Sequence, residues 1–174
     1  MKKIILILTT FITTTLSAQV AIGKNSVTNS SVSLEFYDGT DNTKALILPW
    51  VVNADLSQTE SGTVIFDATD KKIKYLKDNT WVDWSVDPTG SVSTQLQDGL
   101  TENPNAKVMI GGNPTTDTTP GLLVLGDTNK AMVLPKVANP HLTILNPEPG
   151  TMVYDTTSKL LAVYNGSVWT FWKD

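Results

Sequence analysis

The chain has 174 residues, with 13 lysines and no arginine, 17 acidic residues, one histidine and no cysteine, and its formal net charge at pH 7 is −4. An acidic chain without arginine lacks the basic footprint and the guanidinium fork used for nucleic-acid binding, so we expect no nucleic-acid partner. The absence of cysteine excludes disulfide frameworks, thiolate zinc sites and cysteine nucleophiles. We therefore predict no metal site, no cofactor and no enzymatic activity.

Residues 1–18 are predicted to be a secretory signal peptide. Lys2 and Lys3 precede an apolar segment of about a dozen residues that ends in Ser17-Ala18, which is typical of such leaders. A membrane anchor is disfavoured because threonines interrupt the segment and it is too short to span a bilayer. We expect an exported protein, extracellular or on the outer cell surface, with the periplasm as the alternative, and no membrane insertion after removal of the leader.

The rest of the chain is predicted to be a tandem duplication. Most matches have an offset of 88 residues, and the offset is 86 around Lys44-Ala45, which matches Lys130-Ala131. The pairs at the offset of 88 include Ile22 with Ile110, Leu34 with Leu122, Gly62-Thr63 with Gly150-Thr151, Trp81 with Trp169 and Trp84 with Trp172. We expect a first repeat over residues 19–85, a polar linker over 86–107 and a second repeat over 108–174.

Each repeat is predicted to begin with a hairpin. In the first repeat, Val32, Leu34 and Phe36 alternate with polar residues as in a half-buried strand, and the apolar run 45–48 follows a polar turn. In the second repeat, the runs 122–125 and 131–134 occupy the same places. A short helix beginning at Asn139-Pro140 is expected after the second hairpin.

A three-stranded meander is predicted to close each repeat. Its strands are expected at 64–66, 73–76 and 81–84 in the first repeat, and at 152–154, 160–164 and 168–172 in the second. Asn165-Gly166 predicts a two-residue type I′ turn, and alternation of Lys72 and Lys74 with Ile73 and Tyr75 predicts one solvated face. The fold class is therefore all-β, with two tandem copies of a small antiparallel unit (hairpin plus three-stranded meander) joined by a polar linker.

The repeat resembles one found in exported surface proteins of Gram-negative bacteria that are described as tail-fibre-like or adhesin-like. The resemblance rests on Ala21-Ile22-Gly23, the Leu-Pro pairs Leu48-Pro49 and Leu134-Pro135, Val153-Tyr154-Asp155, and Tyr164-Asn165-Gly166 followed by Trp169. It implies a structural or adhesion protein of the cell surface, oligomeric or bound to other surface proteins. We expect a short subunit rather than a long fibre.

Tryptophans are the candidate ligand or interface residues. Trp81 and Trp84, like Trp169 and Trp172, are three positions apart, so in a strand one of each pair faces the core and the other faces outwards. We predict that Trp84, Trp172 and Trp50 lie at an interface with a neighbouring repeat or subunit. The alternative is a carbohydrate-binding module in which an outer-face tryptophan stacks on a sugar.

Two polar features are interpreted as structural. His141 corresponds to an aspartate in the first repeat, which favours a surface loop residue over a catalytic one. Asp38, Asp41 and Asn42 share one turn, and their oxygen atoms are of the kind that binds calcium. Side chains of this kind more often bond the local backbone, so we predict an Asx-type turn there.

Overall fold

The computed structural model describes residues 18–52, 59–95, 97–101, 103 and 105–173. The predicted signal peptide, apart from Ala18, lies outside the described residues. The elements, in chain order, are β1 (Val20–Ile22), β2 (Val32–Phe36), β3 (Leu46–Ile47), β4 (Trp50–Val51), β5 (Val64–Asp67), β6 (Lys72–Lys77), β7 (Thr80–Asp83), β8 (Val108–Ile110), β9 (Leu123–Leu125), β10 (Ala131–Val133), β11 (Lys136–Val137), α1 (Pro140–Thr143), β12 (Thr151–Asp155), β13 (Leu160–Tyr164) and β14 (Trp169–Trp172). The all-β class is confirmed, and the short helix opening at Pro140 is present.

Both predicted meanders are present. Strands β5, β6 and β7 pair antiparallel in sequence order, as do β12, β13 and β14. A two-residue strand runs parallel to the first strand of each meander, β4 beside β5 and β11 beside β12.

The predicted two-residue turn at Asn165-Gly166 is wrong. Strands β13 and β14 pair at Tyr164 and Trp169, so four residues connect them. The Asn165 side-chain oxygen accepts the amide N–H groups of Ser167 and Val168, which opens the connection into an Asx turn. In the first repeat a two-residue turn does occur, at Asp78 and Asn79, whose φ angles of 47° and 60° are those a type I′ turn requires.

The predicted hairpins are wrong as well. Strand β2 lies between β1 and β10 and is parallel to both, whereas β9 pairs with β8 in parallel. Strand β3 pairs antiparallel with β12 of the second repeat. The strand after each polar turn thus joins a sheet of the other repeat, because two- or three-residue strands form few hydrogen bonds and long-range packing decides their partners.

The expectation of a half-buried β2 is also wrong, because its polar side is covered. Ser33 and Glu35 are both fully buried, and so is Leu34 between them. Each lies in the middle strand of a three-stranded sheet, and the segment around Lys24 and Thr28 contacts the Glu35 carboxylate.

The largest core cluster contains residues from both repeats. Leu48, Phe66 and Ile73 come from the first, and Met152 and Val163 come from the second. Gly150, with φ of 83°, lies where an added Cβ would be 3.2 Å from the Cβ of Phe66, so the two repeats approach closely there. A second cluster, Val137, Val153 and Ala162, lies under β12 and β13.

The described part of the linker contains turns but neither strand nor helix, and no helix within the described ranges is long and apolar enough to cross a membrane. The first part of the linker packs against the larger core cluster through Val92. The segment 97–101 is exposed.

We predict that Phe66→Ala lowers the free energy of unfolding by about 3–5 kcal/mol, because it truncates a fully buried ring in the shared core. Chemical denaturation followed by tryptophan fluorescence measures the loss. Phe171→Ala removes the same side chain from a site that is 36% exposed and serves as the control. Equal losses for the two variants would contradict the role of Phe66.

Candidate assembly surface

Trp50 lies where the two repeats meet. Its indole Nε1–H donates to the carbonyl oxygen of Pro149 at 2.7 Å, and its ring packs against the shared core. Position 50 follows Pro49 at the start of β4, so the strand that accompanies the first meander also carries a side chain to the second repeat. Trp50 is therefore a contact residue between repeats.

Trp84 and Trp172 form a second contact between the repeats. The Trp172 indole N–H donates to the carbonyl oxygen of Trp84. The ring of Trp84 lies 4.9 Å from that of Tyr75, centroid to centroid, and packs against the shared core. Trp172 remains 38% exposed and adjoins Phe171, which is also exposed. All three tryptophans singled out from the sequence thus contact the other repeat.

The tryptophans expected to face the core are only half-buried. Trp169 packs on the smaller cluster, and its ring lies 5.3 Å from that of Tyr164. The Nε1 atom of Trp81 is buried and has no hydrogen-bond partner among the described residues. His141 is exposed, and its ring meets that of Phe171 edge-on at 5.7 Å, in keeping with a surface position.

Asn165 joins the linker to the second meander, a role that the sequence did not indicate. Its Nδ2 atom donates to the carbonyl oxygen of Asp87 at 2.6 Å, and the side chain is fully buried. Gly90 lies so close that an added Cβ would be 1.9 Å from the carbonyl oxygen of Asn165. An Asn-Gly pair predicts a two-residue turn, whereas here four residues connect the strands and the Asn165 side chain is buried against the linker.

The predicted solvated face of the first meander is interrupted by a buried ion pair. Lys74 Nζ lies 3.0 Å from Asp67 Oδ2 and also contacts Asp70, and the Lys74 side chain is only 10% exposed. Burial lowers the pKa of Lys74, but the hydrogen bonds that its ammonium group donates to Asp70 and Asp67 outweigh this effect and leave the pKa raised. Lys74 is thus a charged partner of the β5 end and not a solvated side chain.

Asp155 occupies the equivalent place at the end of β12, without a lysine. Its carboxylate accepts hydrogen bonds from the Ser158 hydroxyl and from the amide N–H groups of Asn139 and Thr157. Burial raises the pKa of Asp155, but these donors outweigh it, so the pKa lies below its ordinary value. The carboxylate therefore holds together three segments of the second repeat.

Glu35 is the buried carboxylate of β2. It accepts the Thr28 amide and hydroxyl, each at 2.6 Å, and its Oε1 lies 3.0 Å from Lys24 Nζ. Burial raises the pKa of Glu35, but the bonds from Thr28 and Lys24 leave it lowered. The carboxylate is fully occupied in fixing the segment before β2.

The turn at Asp38, Asp41 and Asn42 engages its polar groups within the protein. Asp38 pairs with Lys24 and Lys136, Asp41 accepts the Tyr37 hydroxyl, and Asn42 Nδ2 donates to the carbonyl oxygens of Tyr37 and Lys136. No group of three or more histidine, aspartate and glutamate side chains suited to a metal occurs in the described residues.

An open groove of about 510 Å³ lies beside this turn, and Phe36 and Ala45 are among the residues that line it.

Large apolar side chains are exposed on or beside several of the short strands. We define the assembly surface as the exposed residues of β1, β3, β8 and β9 with the adjoining Leu122: Ile22, Ile47, Val108, Leu122 and Leu123, which are 45–59% exposed. Removing exposed apolar side chains such as these from water favours association. Four of the five residues lie on strands, whose backbone groups can also form hydrogen bonds.

The comparison with known families concerns the second repeat. Residues 101–173 match the family model described as the phage tail like trimerisation region. No curated protein and no solved structure matches the chain significantly. This segment is therefore similar to a trimerisation region of phage tail-like proteins.

We predict that Asp155→Asn makes stability less dependent on acid pH. Because the folded-state pKa of Asp155 is lowered, its contribution is complete above the unfolded pKa of about 3.9 and is lost as the pH falls through the folded value. At pH 7 the variant should lose about 1–3 kcal/mol of unfolding free energy, and the difference should shrink towards pH 2. Urea denaturation across this range measures it.

The exposed Asp98→Asn variant is the control, and it should follow the unmodified protein at every pH. A constant difference between Asp155→Asn and the unmodified protein from pH 7 to pH 2 would contradict the assignment.

Proposed function

We propose that the chain is an exported structural subunit of the bacterial cell surface that works by assembling into a trimer, as part of a fibre or adhesive complex. The observation that carries the proposal is the match of residues 101–173 to a trimerisation region. The exposed apolar side chains of the assembly surface support it, because association would remove them from water.

The proposal includes no catalysis and no cofactor. One histidine and no cysteine leave few groups for acid, base or nucleophilic chemistry. Most of the buried carboxylates described above accept several hydrogen bonds each, so they act as local structural ties. Self-association or binding to other surface proteins is thus the activity that the residues favour.

Glycan binding by an outer-face tryptophan is the alternative. Trp172 keeps an exposed face, but its indole N–H bonds the carbonyl of Trp84, and Trp50 uses its N–H within the chain as well. These bonds favour a structural role for both residues. A glycan array tests the alternative. Binding of the unmodified protein to the array, and loss of that binding in a Trp172→Ala variant that stays folded, would favour glycan recognition.

We predict that residues 19–174 elute as a trimer. Size-exclusion chromatography with light scattering should give three times the chain mass at micromolar concentration, with no dependence on added metal or glycan. A monomer at all accessible concentrations would contradict the proposed function.

We predict that the full chain is processed and exported when it is expressed in a Gram-negative host. Mass spectrometry of the secreted or surface fraction should show an N-terminus near Gln19, since the leader ends in small residues. Replacing Ile5 and Leu6 by lysine, which interrupts the apolar segment, should leave an unprocessed chain in the cytoplasm. Equal processing of both chains would contradict the leader assignment.

A further inference from the structure

Strands β1 and β2 form the same arrangement as β8 and β9. Both pairs are parallel, with Val20 opposite Leu34 in one and Val108 opposite Leu123 in the other. The strand ends correspond too. The Tyr37 N–H donates to the carbonyl oxygen of Ile22, with an N–O distance of 2.8 Å, and the Gly126 N–H donates to the carbonyl oxygen of Ile110, with an N–O distance of 2.9 Å. Leu34 is therefore equivalent to Leu123, one position beyond the match expected from sequence.

Strand β10 occupies the outer edge of β2, whereas none of the described strands occupies that of β9. Strand β10 lies on the edge of β2, with Met132 opposite Leu34 and Val133 opposite Glu35. Strand β9 has β8 as its one partner in the part of the chain that the structure describes. Since Leu122 and Gly126 bond to β8, alternation turns the backbone groups of Leu123 and Leu125 away from it.

Strand β3 offers the matching edge. It is the sequence equivalent of β10, since Ala45 corresponds to Ala131 at the offset of 86. The Leu48 N–H donates to Gly150, so Leu46 and Leu48 face β12, whereas Ala45 and Ile47 face away. Their equivalents in β10, Ala131 and Val133, are the residues whose backbone groups face β2, as the bond from the Ala131 N–H to Ser31 shows.

We propose that the free edge of β9 binds β3 of a second copy of this chain. The internal pairing of β2 with β10 gives the register: parallel strands, with Leu46 of the second copy opposite Leu123 and Ile47 opposite Val124. The contact buries Ile47 and Leu123, which are 51% and 45% exposed in the single chain. It extends the proposed function, on which it rests, by naming the edges that join the copies.

This pairing makes a head-to-tail contact. Each copy presents one β3 edge and one β9 edge, and these are different surfaces, so every copy donates once and accepts once. Contacts of this type close into a ring when the rotation between copies allows it, and a ring of three agrees with the match of the second repeat to a trimerisation region.

Cysteine cross-linking tests the register, since the chain has no cysteine of its own. Chains carrying Ile47→Cys and chains carrying Val124→Cys are co-expressed, and disulfide formation is followed on non-reducing gels. We expect a covalent dimer from the mixed chains and none from a mixture of Ile47→Cys with Met109→Cys, which places the thiol on β8. A link between Val124→Cys and Val133→Cys chains would overturn the proposal, since β10 would then be the donor.

Light scattering on the same samples separates the two proposals. A trimer without the link between positions 47 and 124 overturns the edge assignment alone, whereas a monomer overturns the proposed function as well. Ile47→Pro provides a second test, because it removes an N–H on the free edge and leaves the Leu48 bond to Gly150 intact. We expect loss of the trimer with an unchanged circular dichroism spectrum, while Ile47→Val, which keeps the N–H, stays trimeric; trimeric Ile47→Pro would overturn the proposal.

Discussion

The fold depends on burial of apolar side chains from both repeats in one core. Phe66 and Ile73 on one side, and Met152 and Val163 on the other, lose nearly all contact with water only when the repeats pack together. A unit of this size buries about 60% of its unfolded surface and is marginal alone. The two predicted repeats therefore share one core, and burial in that core stabilises both.

The two predicted repeats also exchange strands, which brings their cores together. The strand after each polar turn leaves its own repeat, so that β10 completes the sheet of β2 and β3 pairs with β12. The equivalent strands β3 and β10 use opposite edges for these pairings, so that β10 covers the edge of β2 while no described strand covers the corresponding edge of β9. A chain built in this way presents two different strand edges, that of β3 as the donor and that of β9 as the acceptor.

Local structure could be predicted from the sequence, and long-range pairing could not. The meanders follow from alternation and from turn residues, and Asp78-Asn79 adopts the positive φ angles expected of such a turn. The hairpins were predicted from adjacency in sequence, but no local signal distinguishes a β3 that pairs with β2 from one that pairs with β12. Alternation along the strands predicted solvated faces for Glu35 and Lys74. Both are buried instead, because Thr28 and Asp67, which lie outside the alternating segments, bind their charged groups.

The site residues show the same division. The spacing of the tryptophans predicted that Trp84 and Trp172 face away from the core of their own strands, but it identified neither their partners nor those of Trp50. Asn165 was missed, since an Asn-Gly pair carries the same signal whether its side chain faces solvent or accepts two backbone N–H groups. The fold of the connection, and not its composition, brings Asn165 to Asp87.

The exposed segment 97–101 has a consequence for the integrity of the molecule. A protease that cuts there severs the only covalent link between the repeats, yet β3, β10 and the common core would keep the two fragments associated. The nicked protein would behave as a pair of complementing fragments, which migrate separately in detergent but stay together in native buffer. Such a molecule would survive a cut that releases half of an ordinary two-domain chain.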